Sequence, residues 1–121
     1  MPSKRNPIVY LQDIVTAIDR IGEYVGGISY GTFEELVEKQ DAVMQRLSIL
    51  SEAVDRLRAT GMALSTNVDW AAIHNLGNIL RHEYDSVDLA TIWRIVHDDL
   101  PALRQIVVFV LREHFPDTPR T

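Results

Sequence analysis

The chain has 121 residues, 46% of them apolar and 24% charged, with a formal net charge of −5 and no cysteine. That length can bury the core of one domain without staples, and the missing thiols exclude disulfide frameworks, thiolate zinc sites and cysteine nucleophiles together. The acidic balance argues against a protein that grips nucleic acid through a broad basic surface, so any such chemistry must come from a local site.

The longest apolar run, residues 106–111, is far too short to span a bilayer. Residues 1–7 carry Lys4 and Arg5, but Asp13 and Asp19 interrupt what would be the apolar centre of a signal peptide. A cytoplasmic protein without membrane contact is expected.

Ile8, Leu11, Ile14, Val15, Ile18, Ile21 and Val25 recur at three- and four-residue spacing, which predicts one buried helical stripe. Pro7 suits its first turn and Gly26-Gly27 its end. Thr32 and Glu35 have the spacing of a capping box, in which each side chain satisfies a free amide of the other's backbone. From Phe33 the stripe Leu36, Val37, Val43, Met44, Leu47, Leu50, Val54, Leu57 runs on toward Gly61. This predicts a second helix about 40 Å long, long enough to frame a dimer.

A polar loop follows over residues 61–67, with Thr66 or Asn67 placed to cap a third helix over about 68–84. After a turn at residues 85–88, Asp88 can cap a short fourth helix through Trp93 and Val96. Asp98-Asp99-Leu100-Pro101 has the chemistry of a new helix start, since acids and an early proline both suit a first turn. The β-branched run at 106–110 has no partner strand to pair with, so a buried fifth helix is expected. A frayed tail is expected after Phe115. The whole, residues 1–121, reads as a single all-α domain: an up-and-down bundle of four or five helices.

Chemistry gathers on the third helix. At 100° per residue, His74, Asn78 and His82 lie along one ridge, four residues apart, and Tyr84 follows where the helix should end. An imidazole, an amide and a phenol at a helix end could position a phosphodiester and move a proton, and histidine titrates near neutral pH. The residues alone leave a plainer alternative open, because the helix dipole by itself favours histidine near a C-terminus.

The pattern Trp70-x2-Ile73-x4-Asn78-x3-His82-x-Tyr84-x2-Val87-Asp88-x4-Trp93-x6-Leu100-Pro101-x-Leu103 resembles the signature half of the HepT-like HEPN proteins. Leu11, Asp13, Ile14 and Ile18, and the segment Leu47-Ser48-Ile49-Leu50-Ser51-Glu52-Ala53, fit the same pattern, so the resemblance covers about residues 10–107. It implies a helical bundle that forms a homodimer and brings two copies of an Arg-x4-His-x-Tyr motif into a shared cleft. It also implies a toxin acting as an endoribonuclease on RNA, with no metal and no cofactor. The expected partner is a nucleotidyltransferase antitoxin of the MntA type, which can silence such a toxin by adenylylating the motif tyrosine. His82 matches the motif histidine, Tyr84 the tyrosine and modification target, and Asn78 the polar residue after the arginine.

The arginine's own position holds Gly77. A cation on the scissile phosphate is worth roughly 1.5–3 kcal/mol, and losing a transition-state donor lowers rates by ~10²–10³. Arg81, four residues on, lies about 40° around the helix and ~6 Å along it from Gly77. Helical side chains lean toward the N-terminus, so Arg81 could reach back as a relocated clamp. It could equally be a solvated arginine beside Glu83 and Asp85, and Gly77 could simply admit a neighbouring helix. Two functions follow: an endoribonuclease with His82 as base, Arg81 as clamp and Asn78 as positioning donor, or a non-catalytic HEPN module that binds a nucleotidyltransferase.

Overall fold

A computed structural model describes residues 6–62 and 68–116, the Tyr84 side chain excepted. Among the described residues every regular element is helical. Helix α1 runs over Pro7–Val25, where the Asn6 side chain accepts a hydrogen bond from the Ile8 amide at 3.0 Å and Pro7 fills the first turn. Its stripe Leu11, Ile14, Val15, Ile18, Ile21 and Val25 is buried as the periodicity predicts. The helix ends at Gly26, and Gly27 takes a φ of 79°, in the left-handed region that glycine enters without a Cβ penalty.

The expected single second helix is two. Helix α2 spans Tyr30–Glu35 and α3 spans Val37–Ala59, broken at Leu36 (φ −108°, ψ 83°). The reason is Gln40, a buried amide whose Nε2 donates to the carbonyls of Phe33 (2.9 Å) and Glu34 (3.0 Å). Both lie in the last turn of α2, where carbonyls run short of backbone donors, and Phe33 O also accepts from the Leu36 amide at 3.2 Å. The cap at the start is Ser29, not the expected Thr32–Glu35 pair: Ser29 Oγ accepts from the Thr32 amide at 3.1 Å. With 23 residues, α3 is about 34 Å long.

Helix α4 spans Trp70–His82, and its cap is Asp69, which accepts from the Ala72 amide at 3.0 Å. Thr66 and Asn67, the expected caps, lie outside the described residues. A 3₁₀ turn, Tyr84–Ser86, leads to α5, Leu89–Arg94, which Asp88 caps as expected. The expected restart at Asp98-Asp99 does not occur. Helix α5 passes through one π-helical segment, Ile95–Asp99, directly into α6, Leu100–His114, and the Leu100 amide donates to Ile95 O, five residues back. A wide turn here tolerates Pro101, which has no N–H to give an α-helical ladder.

The helices pack in series, α6 on α1, α1 on α3 and α3 on α4. Leu11, Ile14, Ile21, Leu47, Leu50, Leu57 and Leu103 are almost wholly buried, each burial contributing about 1.5–3 kcal/mol. Phe33 is fully buried and meets Trp93 at 5.2 Å between ring centroids, which ties α2 to α5. Arg104 of α6 grips Asp19 of α1 with two contacts, 2.8 and 3.2 Å. That hydrogen bonding raises the arginine's pKa against the opposing effect of burial. Among the described residues no helix is long and apolar enough to cross a membrane.

Candidate active site

The series of helices leaves α4 on the outside, packed chiefly against α3. Its contact with α3 is unusually close. A Cβ built at Gly77 would lie 2.7 Å from Ser51 Cβ and overlap Ser51 Oγ. Ser51 is fully buried and donates to the Ile73 carbonyl at 3.1 Å. Gly77 therefore faces α3, and an arginine there would point into the helix interface.

One turn farther along α3, Asp55 reaches the same face of α4. Both of its carboxylate oxygens lie 3.0 Å from His74 Nδ1. His74 Nε2 is 3.4 Å from Asn78 Nδ2, and Asn78 Oδ1 accepts from Arg81 Nη2 at 3.2 Å. Arg81 Nη1 comes within 3.1 Å of the Cβ position at Gly77. The guanidinium thus leans back toward the N-terminus of α4, as helical side chains do. Among the described residues it makes no ion pair with Glu83 or Asp85.

His82 ends α4 as an exposed imidazole, directly after Arg81. Tyr84 opens the following turn, and its side chain, expected as site residue and modification target, lies outside the described part. Of the expected site residues, the structure thus joins Asn78 and Arg81 by a hydrogen bond and leaves His82 exposed as the last residue of the same helix. Asp55 and Ser51 carry no local signal in the sequence that would mark them as neighbours of this ridge.

The described residues form an all-helical bundle with Asn78, Arg81 and His82 toward the end of one outer helix. Residues 14–110 match the family described as Ribonuclease HepT-like, and the chain belongs to that family. A protein of Methanocaldococcus jannaschii provisionally named an RNase is 31% identical over 108 residues, covering 89% of this chain and 99% of its own. A Thermococcus cleftensis protein provisionally named ribonuclease HepT is 31% identical over 101 residues, 84% of this chain and 92% of its own. A longer M. jannaschii protein, named gamma-glutamylcyclotransferase and provisionally RNase, is 29% identical over 105 residues; the match spans 87% of this chain but only 47% of that protein. No solved structure matches the chain.

Proposed function

We propose that this chain is the toxin of a toxin–antitoxin pair, a cytoplasmic, metal-independent endoribonuclease whose site forms in the cleft of a homodimer. The observation that carries the reading is Arg81 leaning back over Gly77, hydrogen-bonded to Asn78 and followed by His82. A phosphodiester laid on this ridge would meet a planar cation, an amide donor and an imidazole within one helical turn.

The chemistry needs no group beyond these. His82 takes the proton of the 2′-hydroxyl, the 2′-oxygen bonds to phosphorus and the P–O5′ bond breaks. The departing 5′-oxygen takes a proton from the imidazolium or from water. Arg81 holds the phosphate as charge builds on its oxygens. The products are a 2′,3′-cyclic phosphate and a 5′-hydroxyl. An MntA-type nucleotidyltransferase is the proposed antitoxin, with Tyr84 the residue it would adenylylate.

A second reading is favoured by the contact of Gly77 with Ser51, which leaves no room for an arginine at the family's position. In it the chain is a HEPN module that binds its nucleotidyltransferase without cutting RNA. RNA cleavage by the purified chain in excess EDTA separates the two. Cleavage with cyclic-phosphate ends, abolished by His82→Ala, supports the enzyme; silence of the wild type against every RNA supports the module.

A further inference from the structure

We infer that Asp55 and His74 are positioning residues that act through Asn78 to hold the Arg81 guanidinium over Gly77, poised for an RNA phosphate. The purpose rests on the function proposed above, whereas the geometry stands without it.

Hydrogen-bond direction carries the argument. An asparagine amide has interchangeable ends until its partners assign them. Arg81 can only donate, so the Asn78 atom 3.2 Å from Nη2 must be the oxygen. Asn78 Nδ2 then faces His74 Nε2 at 3.4 Å, and that nitrogen must accept. The imidazole proton is thereby assigned to Nδ1, which sits 3.0 Å from both oxygens of Asp55. Each donor along Arg81, Asn78 and His74 points toward the carboxylate, and such aligned bonds strengthen one another. A proton on Nε2 would instead set two donors face to face and release the amide.

The close approach at Gly77 makes this possible. It brings α3 near enough for Asp55 to touch a helix 19 residues away in sequence. The His74 and Asp55 side chains are 48% and 30% exposed, so their pairing adds little to stability. Its consequence is orientation. A free exposed arginine gives up rotamer freedom when it grips a phosphate, whereas an arginine already held gives up less. Only one of the five donors of Arg81 is engaged within the described residues, which leaves the others for a ligand.

The test uses the full chain labelled with nitrogen-15, together with a 2′-O-methyl RNA oligonucleotide that can bind but cannot be cut. His74 should show its proton on Nδ1, and Asp55→Ala should move the Arg81 Nε–H resonance although Asp55 does not touch Arg81. Asp55→Ala and His74→Ala should each weaken oligonucleotide binding roughly two- to tenfold. Arg81→Ala combined with Asp55→Ala should be no weaker than Arg81→Ala alone. Asp55→Asn, which keeps an acceptor for Nδ1–H, should retain most of the binding and guards against a folding defect in the alanine variant. A proton on Nε2, an unmoved Arg81 resonance, or additive losses would overturn the inference. Wild type that fails to bind the oligonucleotide would reject the RNA function, and the two spectral readouts would then decide the positioning chain by themselves.

Discussion

Ser51 occupies the space that any side chain at position 77 would need: a Cβ on Gly77 would lie 2.7 Å from Ser51 Cβ. The absence of the family's arginine is thus tied to how two helices pack. Overpacking of this kind costs about 1–3 kcal/mol. Gly77→Ala should therefore change the urea midpoint by that cost less the roughly 1 kcal/mol gained by removing a mid-helix glycine. In a Ser51→Gly background the same change should cost clearly less, although Ser51→Gly itself destabilises by about 1 kcal/mol as a mid-helix glycine. Equal penalties in both backgrounds would show that the helices do not meet at this pair.

Gln40 offers a second stability test, because its buried amide satisfies the last carbonyls of α2. Replacing it with leucine takes the amide donor from both oxygens and leaves the Glu34 oxygen beside an apolar group, while Phe33 O keeps the Leu36 amide at 3.2 Å. A loss of about 1–3 kcal/mol is expected in chemical denaturation. A neutral outcome would mean that the break at Leu36 is held by something else.

Arg81 separates the relocated clamp from a decayed site. Arg81→Ala should remove RNA cleavage by ~10²-fold or more while leaving the helical circular dichroism unchanged. Arg81→Lys should recover only part, since an ammonium cannot reproduce the planar fork. Gly77→Arg should add no activity, because that side chain would be driven into Ser51. Wild-type cleavage that survives Arg81→Ala would reject the clamp.

Tyr84 is the expected target of the proposed antitoxin. Incubation with an MntA-type nucleotidyltransferase and ATP should add AMP-sized mass to the chain, and Tyr84→Phe should prevent it. The adduct would place bulk and negative charge two residues from His82 and repel an RNA backbone. Intact-mass spectrometry reads the result, and an adduct indifferent to Tyr84→Phe would sink the idea.

Light scattering addresses the shared cleft. A dimer is expected at micromolar concentration, and a strictly monomeric, fully active enzyme would show that one ridge suffices.

What the sequence by itself determined is local. The buried stripe of α1 and the Asp88 cap of α5 were legible because helical periodicity and capping act within a few residues. The contact of His74 with Asn78 was legible for the same reason, whereas the direction of Arg81 was one of two readings that spacing left open. The break at Leu36 was not, since the apolar stripe runs on across it, and the buried Gln40 amide that bonds back to α2 is a tertiary contact. Asp98, Asp99 and Pro101 imitate a helix start, yet the Leu100 amide finds Ile95 O and the helix continues through a π turn. Asp55 and His74 meet only because α3 and α4 approach closely at Gly77, a distance set by packing and not by spacing. Only tertiary structure shows that this glycine is a close contact between two helices, because that depends on Ser51, which stands 26 positions earlier in the chain.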